Sequence, residues 1–204
     1  MHPAVTVRPA EFSDVEDIQR VARAAYHAAY GDHLDADALD AQLDDWYSTD
    51  SVENRVLRDA STLLVAEHDA DGVVGYASGG PTPTKEDDSE DVDEDADVDD
   101  DADVDDDADA DDDAGAAGAS PTQATLYTCY VHPDHWGDRI GHGLLTAIED
   151  ALRDRGFERM TIPVLADNDH ARQFYADHGY PTTDTGTTTF GGRTVDEATH
   201  AGAL

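Results

Sequence analysis

The chain has 204 residues, with 48 Asp and Glu against 12 Lys and Arg, a formal net charge of −36. Charge of that sign excludes nucleic acid and anionic membrane surfaces as natural partners, since both demand clustered basic side chains. No apolar run approaches the roughly 20 residues needed to span a bilayer. The first residues lack a basic stretch followed by an apolar one, and the single cysteine, Cys129, excludes an internal disulfide. Both features fit a cytoplasmic protein.

Val5–Pro9 alternates as a short strand. Ser13 and Glu16 form a capping-box pattern that predicts a helix start. Ile18, Val21, Ala22, Ala25, Tyr26 and Ala29 then make one helical stripe that stops near Gly31. Asp35 to about Arg58 reads as a second helical region, with Leu39, Leu43, Trp46 and Tyr47 on its apolar side. Thr62–His68 and Val73–Ser78 read as strands joined by Asp69-Ala-Asp-Gly72, a hairpin signal.

An acidic segment follows. Glu86–Asp113 holds 20 acids in 28 residues and no base. Asp91–Ala96, Asp97–Ala102, Asp103–Ala108 and Asp109–Ala114 are near-identical hexads whose only apolar members are Val and Ala. Such repeats bury too little surface to offset chain entropy. Residues 81–122 are therefore expected to be a disordered insert in a single domain made of 1–80 and 123–204. A calcium loop is the sharper alternative, but alanine occupies every sixth place where an EF-hand needs glycine. Outside Glu86–Asp113, 28 acids face the same 12 bases, a net of −16, and 11 of those bases are Arg. This lysine-poor, aspartate-rich make-up resembles the proteins of extreme halophiles.

Ala124–Val131 reads as a strand, then comes a Pro- and Gly-rich turn, His132–Gly143. Leu144, Leu145, Ile148, Ala151 and Leu152 continue at helical spacing to Gly156. Arg159–Leu165 is a strand, Asn168–His178 a helix, and about Thr182–Phe190 and Arg193–Thr199 are Thr-rich strands. The order β-α-α-β-β-(insert)-β-α-β-α-β-β implies a mixed α/β sheet covered by helices. Trp136, Gly137, Asp138, Arg139, Ile140, Gly141, His142 and Gly143 lie between a strand and a helix. Free amides and the positive dipole end of a helix make that turn a candidate pyrophosphate cradle. Its glycines could equally serve packing alone.

Val131-His-Pro-Asp-His-Trp-Gly-Asp-Arg-Ile-Gly-His-Gly-Leu-Leu145 resembles motif A of the GNAT-type N-acetyltransferases. Asn168-Asp-His-Ala-Arg-Gln-Phe-Tyr-Ala-Asp-His-Gly-Tyr180 resembles their motif B, and Thr6–Asp14 their opening strand and turn. The resemblance spans nearly everything except the insert. It departs from motif A at Trp136, where Arg or Gln is usual, and at Arg139, where glycine is usual. Arg139 then faces a conformation cheaper for glycine, while offering a cation to the pyrophosphate or pairing with a surface aspartate.

The resemblance implies an α/β (α+β) fold with a mixed, mostly antiparallel sheet of six to seven strands. That sheet would be splayed at the cofactor site and flanked by about four helices. It implies direct acetyl transfer from acetyl-CoA to a small-molecule or peptide amine acceptor, by a monomer or homodimer. It assigns the backbone of Cys129, Tyr130 and Val131 to the pantetheine arm, with the Val131 amide as oxyanion donor. Tyr175 becomes the general acid toward the thiolate. Asn168 caps the motif B helix and bonds the pantetheine. No carboxylate stands on Ala124–Val131, where the family often keeps its base, so Glu67 is the substitute. An amine of low pKa would need little help. Tyr26, Tyr30, Trp46 and Tyr47 fall where such proteins build the acceptor wall, or they are core.

His132, His135 and His142 suggest zinc but lack a fourth partner in sequence, so no metal is expected. Cys129 has no activating base beside it, which disfavours a nucleophilic role. The reading of a different class is a non-catalytic acyl-CoA-binding or regulatory module on the same fold.

Overall fold

In the computed structural model, residues 5–31, 35–83, 122–190 and 192–204 are described. The repeats between Glu86 and Ala114 lie outside them.

The first strand, β1 (Val5–Pro9), leads through a short 3-10 turn, Phe12–Asp14, into helix α1 (Val15–Tyr30). The helix does not begin at the expected Ser13/Glu16 box. Instead Asp14 turns back, its Oδ2 accepting from the Glu11 amide at 2.8 Å while both its oxygens bind the Arg8 guanidinium at 2.7 and 2.9 Å. A buried carboxylate held by β1 outcompetes a solvent-exposed cap, so the start of α1 is tied to the first strand.

The second helical region is two helices, α2 (Ala36–Trp46) and α3 (Thr49–Leu57). Asp35 caps α2 by accepting from the Asp37 and Ala38 amides, and Ser48 caps α3 by accepting from Ser51. A serine at an N-cap restarts the helix after Tyr47, and the new direction lets Val52 as well as Leu39 and Leu43 reach the core.

Strands β2 (Thr62–His68) and β3 (Gly72–Pro81) form the expected hairpin. The second of them is longer than the alternation to Ser78 suggested. Its end pairs with the start of β4 (Gln123–Val131), Pro81 facing Ala124. Helix α4 (Ile140–Asp154), strand β5 (Arg159–Leu165), helix α5 (Asp169–Asp177) and strands β6 (Thr182–Phe190) and β7 (Arg193–Ala203) complete the chain.

The seven strands make one sheet in the order β1-β2-β3-β4-β5-β7-β6. Every pairing is antiparallel except β4 with β5. Each face carries its own core. Leu144, Leu145, Ile148 and Leu152 of α4, with Tyr175 of α5, cover Leu64, Ala77, Leu126 and Ile162. Ile18, Val21 and Tyr26 of α1, with Leu39, Leu43 and Val52, cover Leu63, Val65 and Tyr76 on the other. Alternation along β2 sends Leu63 and Val65 one way and Leu64 and Ala66 the other, so both faces are dry. No helix among the described residues is long and apolar enough to cross a membrane.

Candidate active site

The one parallel pairing is also the one that fails. β4 and β5 pair only at Gln123–Thr125 with Arg159–Thr161. Beyond Thr161, β5 runs with β7 alone, while β4 continues to Val131 against β3. The two strands therefore splay, and beyond Thr125 the far side of β4 has no strand partner among the described residues.

Which amides face that gap follows from the antiparallel ladder. The His132 amide donates to Val74 O across the β3 side at 2.8 Å. Hydrogen-bonded and non-bonded pairs alternate. Gly75 with Val131 and Ala77 with Cys129 are thus non-bonded pairs, their β4 backbone groups turned into the gap. The backbone of Tyr130 is turned toward β3, so the expectation that it binds a ligand by its main chain is corrected; its ring reaches the cleft instead. The Val131 carbonyl already accepts from Trp136 Nε1 at 2.8 Å. Among the described residues, the Val131 N–H has no such partner.

The splay opens into a cleft of about 820 Å³ lined by α1, the end of β4, the turn before α4, and α5. This is at the upper end of the range of ligand pockets. The turn is shaped for an anion. Gly137 has φ +88° and Arg139 φ +61°, ψ +17°, the latter the only non-glycine residue among those described with positive φ. This left-handed pair brings Gly137, Arg139, Gly141 and His142 to the cleft at the start of α4, where a helix leaves its first amides unpaired.

The conformation anticipated for Arg139 is thus the one found. Arg139 lines the cleft and makes no salt bridge among the described residues. Among its neighbours, the side chains of Ile140 and Asp138 lie away from the cleft, and the amide expected of Gly143 is already engaged. Ile140 is 5 % exposed and packs in the core. The Gly143 amide is used inside the helix, donating to Arg139 O at 3.1 Å. The Asp138 side chain does not line the cleft.

Helix α5 supplies the opposite wall. Asn168 Oδ1 accepts from the Ala171 amide at 3.0 Å, the expected cap, and its Nδ2 donates to the Tyr30 hydroxyl at 3.2 Å. The carbonyl of Phe174 only accepts, so His178 Nδ1, 2.7 Å away, carries a proton. His178 Nε2 then accepts from His142 Nδ1 at 2.9 Å, clipping α4 to α5 beside the turn. Trp136 stacks on His170 at 5.8 Å and 22°, bridging the same two walls.

Tyr175 stands at the inner end, beside Cys129. Burial, then the Cys129 neighbour, pushes the Tyr175 phenol well above its ordinary value. Burial pushes the Cys129 thiol up to about 12, which leaves it protonated and no nucleophile. A phenol that holds its proton is a proton donor rather than a base.

Glu67 is not brought to this cleft. It points to the β1 edge, where its Oε2 accepts from Arg8 Nε at 2.7 Å. Tyr26, Tyr30 and Tyr47 are buried, and with Trp46, Tyr76, Tyr130 and Phe190 they form one aromatic cluster behind the cleft. Tyr26 lies 4.6 Å from Tyr130 and stacks on Phe190 at 6.1 Å, and Tyr76 donates to Tyr47 at 2.7 Å. Their first role is therefore packing. The sequence reading missed Ala25, Ala28 and Ala29 as a cleft wall. Their small size at helical spacing was the signal, since it lets α1 approach the splayed strand.

A splayed sheet whose free strand edge runs into a helix N-terminus offers backbone donors to an extended, anionic ligand. The profile described as "Acetyltransferase (GNAT) family" matches residues 16–180. The chain belongs to the GNAT acetyltransferase family. A PaiA N-acetyltransferase from Thermoplasma acidophilum in complex with coenzyme A superposes with TM-score 0.71 at 16 % identity, covering 98 % of this chain and 99 % of that one. A ribosomal-protein-alanine N-acetyltransferase from Brucella melitensis gives 0.61 at 21 %, over 98 % and 99 %. YncA, a putative acetyltransferase from Salmonella typhimurium with acetyl-CoA, gives 0.59 at 22 %, over 98 % and 94 %. No curated protein matches significantly.

Proposed function

We propose that this protein transfers an acetyl group from acetyl-CoA directly to an amine acceptor. The observation that carries the reading is the convergence of three groups on one cleft: the free Val131 amide, the left-handed turn before α4, and the protonated Tyr175 hydroxyl. The donor fits the residues present. The amides from Gly137 to His142, with Arg139, suit a pyrophosphate. The β4 edge at Cys129 and Val131 suits the two amides of a pantetheine arm, as an added strand would.

The chemistry follows from those positions. The Val131 N–H donates to the thioester carbonyl, and more strongly to the oxyanion as the amine attacks. Tyr175 gives its proton to the departing thiolate sulfur, and the proton that the amine nitrogen sheds on becoming an amide restores the phenol through solvent. The attacking amine must arrive neutral. With Glu67 bound to Arg8, no carboxylate from β2 takes its proton, which favours an amine that ionises near neutrality. A chain N-terminus, with a pKa of about 7.7–8.0, meets that requirement.

The competing reading is a module that binds acyl-CoA without turnover, and it draws on that same engagement of Glu67 by Arg8. Thiol release from acetyl-CoA, measured over amines, amino acids, aminoglycosides and peptides in molar salt, separates the two. Release that depends on an acceptor supports transfer. Binding of acetyl-CoA, seen as a raised thermal midpoint, with no acceptor-dependent release supports the module.

A further inference from the structure

Away from the acyl end of the cleft, three donors far apart in the chain meet. His68 closes β2, Asp71 lies in the hairpin that follows, and His135 lies on the turn after β4. One donor atom from each lies within 4.8 Å of those of the other two. Asp71 Oδ2 is 2.8 Å from His68 Nδ1 and 3.6 Å from His135 Nε2, and the two imidazole rings are 5.1 Å apart. The His68 ring is buried at 8 % exposure.

His68 Nδ1 and Asp71 Oδ2 face each other at 2.8 Å, with the Ala70 and Asp71 amides 3.4 and 3.2 Å from the same nitrogen. A metal ion takes the imidazole nitrogen and the carboxylate oxygen as donors, in place of the proton that the two would otherwise share.

We propose that His68, Asp71 and His135 bind one divalent transition-metal ion of the zinc type, with water completing its coordination. Two imidazole nitrogens and one carboxylate oxygen are a three-ligand set of that class. Imidazole favours zinc, copper, nickel or iron over calcium and magnesium, which take oxygen. The ion straps the β2–β3 hairpin to the turn that begins the anion cradle, for His135 also lines the cleft and Trp136 follows it. The expectation of no metal rested on partners near His135 in sequence. The fold instead supplies them from a hairpin more than sixty residues upstream, while His142 goes to His178.

Cobalt(II) titration of the full chain in molar salt tests this. We expect one ion per chain with the strong visible absorption of low-coordinate, nitrogen-bound cobalt, displaced by zinc. His68→Ala and Asp71→Asn should each weaken binding at least about tenfold. Asp71 is half exposed in a hairpin, so the second variant keeps the fold, which a far-UV spectrum checks. The acidic repeats also attract cobalt, but through carboxylates and water, with weak absorption. Deleting Glu86–Asp113 should leave the strong bands intact. The proposal is overturned if wild type shows no such bands, or if they survive in both variants. It is equally overturned if they vanish only when His142 and His178 are replaced.

Discussion

Replacing Tyr175 by Phe removes one oxygen from the inner end of the cleft and leaves a ring that packs as before. The phenol is buried and keeps its proton, so its loss should fall on the chemical step. We expect turnover to drop about 100-fold or more, the usual worth of a positioned acid, with acetyl-CoA affinity within about twofold. Steady-state rates beside a binding titration check it, and equal turnover removes Tyr175 from the mechanism. Arg139 makes the opposite exchange. Its left-handed backbone costs roughly 1–2 kcal/mol that glycine does not incur. Arg139→Gly should raise the thermal midpoint while weakening acetyl-CoA about tenfold, the value of one charge-assisted hydrogen bond. A variant both more stable and equally tight would show that the guanidinium does not meet the ligand. The motif made Tyr175 and Arg139 visible in the sequence. The engagement of Glu67 by Arg8 was invisible, because nothing local joins residues 8 and 67.

The start of α1 shows how one ion pair organises an element. Asp14 is 4 % exposed and binds Arg8 through both oxygens. The side-chain hydrogen bond from Arg8 holds its carboxyl below the ordinary value. Such a group binds fewer protons folded than unfolded. Its stabilisation is complete above the unfolded pKa of about 3.9 and drains away as pH falls toward the folded value. Asp14→Asn should therefore cost about 2 kcal/mol at pH 7, as a charged hydrogen bond does, and progressively less below pH 4. Denaturant curves at several pH values measure it, and a cost independent of pH would show that the charge is immaterial. The capping signal at Ser13 and Glu16 was legible but lost, because a cap facing water yields to a buried pair. The break between α2 and α3 was legible in Ser48 once a cap was allowed inside an apolar stripe.

At the scale of the molecule, the −36 charge is a solution property more than a site property. Self-repulsion of that size favours expanded states, and salt screens it. The Debye length falls from about 10 Å at 0.1 M to about 3 Å at 1 M. We expect the protein to lose helical signal as salt is diluted below about 0.1 M and to regain it on concentration. A far-UV spectrum indifferent to salt would refute this. Under the proposed function, so acidic a chain must hold a polyanionic donor by local devices, the helix-end amides and Arg139 at the cleft.

The sequence by itself determined the class. Hydrophobic period, turn residues and two motifs in order are local signals, and each survives being read without its neighbours. The order of strands along the chain, the glycine-rich turn before α4 and the helix that carries Tyr175 followed from them, while the second helical region was read as one piece where the fold has α2 and α3. Only the tertiary structure decided which backbone groups of β4 are free, because that depends on where β5 leaves it. It also decided that Glu67 faces Arg8, that Tyr26 and Tyr30 of α1 pack with Tyr47 after α2, and that His135 meets His68 and Asp71. These are contacts between elements distant in the chain, set by strand register and crossover rather than by any nearby residue.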